Sequence, residues 1–232
     1  MKAFAALFTV LDQTTGTTAK VTALTRYFQT APDDDKLWTI ALFTGRRPRR
    51  VISTTLLRLW AAEAAGIPLW LFEDAYPIVG DLAETITLIL PPASGSSDHS
   101  LTHWITALKA LARADEATRK AGILTAWDQL PTTERFLFTK LLTGGFRVGV
   151  SAKLMTRALA AATGQPADTM THRLMGTGRQ IPPRIRPCWL MMARPAPDPT
   201  PLPWHIRWTG WTTLAPQPTG PPNGNGTGSG GS

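Results

Sequence analysis

Cysteine is almost absent. The 232 residues hold one, Cys188, which excludes an internal disulfide and fits a reducing compartment. No apolar run approaches the roughly 20 residues that span a bilayer. The opening MKAFAALFTVLDQ also lacks the layout of a signal peptide. Phe4, Leu7, Phe8 and Leu11 recur at helical spacing, and Asp12 stands where a cleavage site should lie. Alternating strand patterns are essentially missing. Acid is scarce relative to base: 16 Asp and Glu against 24 Lys and Arg, a net charge of +8 and a pI near 10.2. These features predict a soluble, cytoplasmic protein with no membrane role and a polyanionic partner, nucleic acid before membrane. An apolar content of 43% is ample for a packed core, in one medium domain or two small ones.

What is present divides into two compositions. From 178 to 232 the chain carries 12 of its 20 prolines, 8 of its 19 glycines and 4 of its 9 tryptophans. That segment has five arginines, one aspartate, no lysine and no glutamate, and it shows no apolar period. Proline and glycine at this density stop any helix, so a disordered tail is predicted for 177–232. Residues 1–176 instead show helical periodicity over 2–13, 18–30, 35–44, 52–65, 80–90, 101–114, 117–127, 133–143, 152–162 and 167–175. Glycine, proline and polar clusters separate these runs. The prediction is an all-α domain, an irregular bundle of about ten helices.

The most informative stretch is KLLTGGFRVGVSAKL at 140–154. One helix should end at Gly144 and Gly145, a short extended piece should follow, and Ser151 should cap the next helix. Gly145 and Gly149 permit close approach of backbone to a ligand. The N–H groups after Ser151 form an anion site, with Lys140, Arg147 and Lys153 around it. The arrangement suits a clamp on a phosphodiester backbone. It equally suits a plain helix–turn–helix joint with solvated basic residues. It is not a Walker loop, because no Gly-Lys-Ser/Thr follows the glycines. A second basic cluster, TGRRPRRVIST at 44–54, packs Arg46, Arg47, Arg49 and Arg50 between two helices. Phosphate contacts would compensate their mutual repulsion, and a solvated loop is the other reading. No base-reading helix is visible, so binding should follow backbone shape more than sequence.

The remaining candidates point to structure. His99 and His103 have neither an intervening glutamate nor a third ligand, which argues against a metal. Asp33, Asp34 and Asp35 lie where a helix begins and complement its dipole. Asp81 and Glu84 fit a helix start better than an acid pair. Trp38, Trp60, Trp70, Trp104 and Trp127 are assigned to the core. No nucleophile–base–acid constellation emerges.

GDLAE at 80–84 and ERFLFTKLLTGGFRVGVSAKLMTRALA at 134–160, with TTAKVTALTRYF at 17–28 and IALFTGRRPRR at 40–50, resemble the N-terminal DNA-binding domain of bacterial ATP-dependent DNA ligases. The resemblance covers about residues 1–176 and is specific in combination. It implies an all-helical, monomeric domain that grips double-stranded or nicked DNA from the minor-groove side, mainly through the sugar–phosphate backbone. Carried over by position, the implied contacts are Lys140, Gly144, Gly145, Arg147, Gly149, Ser151 and Lys153. Arg46, Arg47, Arg49, Arg50 and Lys20 form a second tier. In the full-length family enzyme, adenylation and OB-fold domains seal nicks in replication, repair or recombination, using ATP and Mg²⁺. A stand-alone basic module that meets nucleic acid or an acidic protein is the alternative.

One departure is severe. The family's adenylation motif, Lys-x-Asp-Gly, occurs nowhere in this chain, so no catalytic residue and no cofactor is assigned to it. The closing PPNGNGTGSGGS offers a reason. Moving the codon frame so that each triplet starts on the third base permits Ala-Glu-Trp-Lys-Trp-Asp-Gly there, the adenylation motif with its lysine. The same frame permits Ala-Leu-Leu-Ala-x-Asp-Gly over 187–193, where the adjacent Met191 and Met192 codons fix the aspartate. The expectation is a frameshift near Thr177, a truncated ligase front and a chain inactive in ligation by itself.

Overall fold

A computed structural model describes residues 1–45, 51–146 and 148–176. Eleven α-helices and no strands occur among the described residues: α1 (Lys2–Gln13), α2 (Thr17–Thr30), α3 (Asp33–Phe43), α4 (Thr54–Ala65), α5 (Leu69–Val79), α6 (Leu82–Ile89), α7 (Leu101–Leu111), α8 (Glu116–Gln129), α9 (Thr132–Thr143), α10 (Ala152–Thr163) and α11 (Ala167–Gly176). The tail and the run Arg46, Arg47, Arg49 and Arg50 lie outside the described residues, and so does Arg147.

Helix starts follow local chemistry. The side chains of Ser53, Asp81, Ser100, Asp115 and Ser151 each accept a hydrogen bond from a backbone N–H in the turn they open, satisfying donors a helix cannot pair itself. Asp81 therefore starts a helix, as its sequence suggests. Asp35 corrects a simpler expectation. It lies in the first turn of α3, yet its buried carboxylate crosses to the start of α7 and accepts from Leu101 N, Thr102 N and Thr102 Oγ1 at 3.2, 2.9 and 2.6 Å. One acid thus serves the positive ends of two helices.

Helix α5 is missing from the sequence-based prediction. Its run LWLFEDAYPIV has no clean apolar period, and Pro77 signals a break. The helix nonetheless runs through Pro77 to Val79, giving up the N–H that this position would have donated to Glu73. Gly80 then closes that turn in the left-handed region, its N–H donating to Tyr76 O at 2.9 Å. Trp70 is a second correction. It is 65% exposed on α5, whereas Trp38, Trp60, Trp104 and Trp127 are buried as expected.

The helices enclose a single apolar core. Helix α10 packs along α2, α6 along α9, α1 against α2 and α9, and α3 against α7. Phe4 stacks on Phe43 at 5.8 Å, and Trp104 meets Phe138 edge-on at 5.3 Å. Arg135, 3% exposed, ties the loop before α7 to α8 by donating to Trp127 O and Pro91 O at 2.7 and 2.8 Å. His99 and His103 stack ring on ring at 3.8 Å. Among the described residues, no group of three or more potential metal ligands occurs.

Candidate nucleic-acid interface

The α9–α10 joint is built from alternating anchors and openings. Helix α9 ends at Gly144, whose φ of +88° suits glycine and whose N–H donates to Lys140 O at 2.7 Å. Phe146 then turns inward, its ring 6.1 Å from both Phe4 and Phe8. Val148 is buried. Gly149 faces out at φ +64°. Ser151 accepts from Leu154 N at 3.2 Å and starts α10. This leaves earlier N–H groups of that first turn at the positive end of the helix.

The end of α3 meets this joint. Leu42, Phe43, Thr44 and Gly45 form one wall of a groove of about 600 Å³, and Gly144, Phe146, Val148, Gly149, Val150 and Ser151 form the other. Two stretches singled out by sequence, about a hundred residues apart, therefore open on one groove. The arginine run begins with the residue after Gly45. Within those stretches Thr44, Gly45, Phe146, Val148 and Val150 line the groove without having been named as contacts from the sequence, and Leu42 and Phe43 join them from the end of α3. The glycine directly before the basic run was the signal that could have found Gly45.

The lysines differ in placement. Lys20, on α2, is 9% exposed and donates to Val148 O at 2.6 Å. Its ammonium lies directly under Gly149, where an added Cβ would sit 3.0 Å from Nζ. Among the described residues no carboxylate pairs with it. Lys20 therefore holds the joint from below and places an uncompensated positive charge behind the groove wall. Lys140 is engaged elsewhere: its Nζ is 2.5 Å from Asp81 Oδ2 and 5.1 Å from the Phe136 ring centre. The same Asp81 carboxylate accepts from Ala83 N and Glu84 N through Oδ1 at 3.0 and 3.1 Å. Burial opposes the charge on Asp81, but the Lys140 hydrogen bond, the two backbone donors and the lysine charge outweigh it and hold its carboxyl below the usual value. Gly145 passes over Lys140, where an added Cβ would be 3.5 Å from Nζ, an ordinary contact. Lys153 is exposed in the first turn of α10, and Arg157 stands exposed one turn on.

Gly144, Gly149 and Ser151 thus line the groove, with Lys20 beneath and Lys153 two residues past Ser151, whereas Gly145 and Lys140 are not among its lining residues. Such a joint exposes backbone and the positive end of a helix dipole. It holds no acid–base pair for covalent chemistry among the described residues.

The fold and groove define an all-helical domain with an open groove at a glycine-rich helix joint. Residues 1–160 match the family model described as DNA ligase N terminus. The match spans more than half of the chain, which belongs to that family, the N-terminal domain of ATP-dependent DNA ligases. No curated protein matches the sequence. No described helix is long and apolar enough to cross a membrane.

Proposed function

We propose that the chain binds duplex DNA, nicked duplex included, through the sugar–phosphate backbone, as the DNA-gripping part of an ATP-dependent ligase. The observation that carries this reading is the meeting of 42–45 and 144–151 at one groove, with Lys20 beneath it and the α10 N-terminus opening on it. Positive φ at Gly144 and Gly149 lets the backbone turn through the joint, and Gly149 leaves room for the Lys20 ammonium beneath it. Among the described residues the groove walls carry no arginine, lysine, asparagine or glutamine, the side chains that pair most often with base edges, which favours recognition of shape and charge over sequence. Arg46, Arg47, Arg49, Arg50 and Arg147 extend the basic surface in this reading, and Lys153 adds a mobile phosphate contact. The chain acts as a monomer in the cytoplasm and does not ligate by itself. The full enzyme would seal nicks in replication, repair or recombination with ATP and Mg²⁺. Residues 177–232 are read as out-of-frame linker and adenylation sequence. Resequencing the gene from the Met175 codon onward tests that part: an open Lys-Trp-Asp-Gly frame supports it, and no such frame defeats it.

Binding is tested by titrating a labelled nicked duplex at increasing salt, with heparin as a competing polyanion. The expected result is a linear fall of log K with log salt, by about 0.9 per phosphate contacted. Replacing Arg147 and Lys153 together with alanine should lower that slope by about 2. Equal binding of heparin and DNA, with neither substitution mattering, would favour the alternative, a basic module for acidic proteins, which the net charge of +8 alone would also support.

A further inference from the structure

Between Leu59 and Leu108 the chain has six acids (Glu63, Glu73, Asp74, Asp81, Glu84 and Asp98) and not one lysine or arginine. In a protein of net charge +8 this is a sharp local reversal. Glu63, Glu73, Asp81 and Asp98 are each paired with a base from outside the stretch: Lys120, Arg58, Lys140 and Lys2. Asp74 and Glu84 are exposed, and their carboxylates have no partner among the described residues.

The same stretch holds most of the large exposed apolar side chains. Trp70, Leu71 and Ile78 of α5 are 65%, 41% and 86% exposed, and Leu88 of the adjoining α6 is 65% exposed. At 100° per residue, Trp70, Leu71, Asp74 and Ile78 fall on one side of α5, and Phe72 on the other. Glu84 and Leu88 are one turn apart on α6. The outer face is not a loosely held helix. Phe72 is fully buried, Glu73 accepts from Arg58 Nη1 at 3.0 Å, and the Arg58 guanidinium lies 5.0 Å from the Tyr76 ring centre. Single exposed apolar residues are ordinary, but a tryptophan, a leucine and an isoleucine on one rigid helical face form a patch of the kind that partners cover. None of them lines the groove, and the acidic charge makes the face unsuited to DNA.

We propose that this α5–α6 face docks a partner protein segment that is both apolar and basic, an amphipathic helix whose aliphatic side chains cover Trp70 and Ile78 while its lysines or arginines meet Asp74 and Glu84. Charge complementarity selects this occupant. A second copy of the chain would bring a predominantly basic surface but would have to set one acidic face against another in a symmetric dimer.

The test uses the full chain and two synthetic eighteen-residue helical peptides, one of leucine and lysine and one of leucine and glutamate, each labelled for anisotropy. Overall charge alone would make the protein prefer the glutamate peptide. The proposal expects the lysine peptide to bind more tightly. Trp70→Ser with Ile78→Ser should weaken it at least tenfold, while the thermal midpoint and nicked-duplex affinity stay unchanged. Asp74→Lys with Glu84→Lys should reverse the preference between peptides. Preference of the native chain for the glutamate peptide, or undiminished binding of the lysine peptide by the Trp70 and Ile78 double variant, overturns the proposal. Sedimentation of the native chain as a dimer that this variant converts to monomer would also overturn it, giving the face to a second copy.

Discussion

The α9–α10 joint and the outer side of α5 treat apolar side chains in opposite ways. At the joint, Phe146 packs on Phe4 and Phe8 and Val148 is buried, so among the described residues what faces outward is glycine backbone and a helix end. On α5, only Phe72 is buried and the outward side is tryptophan, leucine and isoleucine beside unpaired acid. The first surface offers dipoles and positive charge to an anion that need not have a particular shape of side chain. The second offers area and negative charge to something apolar. The difference lies in what each leaves uncompensated among the described residues: the Lys20 charge at one, apolar area at the other.

Breaking the joint should have the largest effect. Lys20→Met removes the donor to buried Val148 O, at a cost of about 1–3 kcal/mol in stability. Nicked-duplex affinity should fall with it, by at least tenfold in an anisotropy titration. Lys20→Arg, which keeps charge and donor, should recover part of the binding. Next comes Gly149→Ala. Its φ of +64° and the 3.0 Å approach to Lys20 Nζ both oppose a side chain, so about 1–2 kcal/mol should be lost in denaturant unfolding. Weaker DNA binding should accompany it.

Asp81→Asn should do less and should act through pH. The folded-state carboxyl is held below its usual value, so its stabilising contribution is complete above the ordinary aspartate range. That contribution is lost as pH falls through the folded value. Unfolding measured from pH 6 downward should show native and variant chains converging in acid. The substitution also releases Lys140, so DNA affinity should hold or rise. The smallest effect belongs to the other face: Trp70→Ser should change stability by less than about 0.5 kcal/mol and leave DNA affinity untouched.

Much of this comparison was readable in the residues. Ten of the described helices follow from apolar spacing and from breaks at glycine and proline, because amphipathic helices on a shared core carry their period in the sequence. Ser151 as a cap and Gly144 as a stop follow from local chemistry. The failures share one cause, which is that they depend on distant neighbours. Helix α5 is held by Phe72, Arg58 and the packing of α4 and α6, against its own irregular pattern and Pro77. Trp70 looked like core because tryptophan usually is. Asp35 reaches across to α7, Lys140 finds Asp81, and Lys20 finds Val148 O, 128 residues away. No local pattern encodes such pairings.

Hydrogen exchange of the full chain, with and without a nicked duplex, shows which surface DNA covers. Binding at the groove should slow exchange over 144–154 and at Thr44 and Gly45, with 69–79 unchanged. Protection of 69–79 instead, or none over 144–154 at saturating DNA, would place DNA elsewhere and rule the groove out.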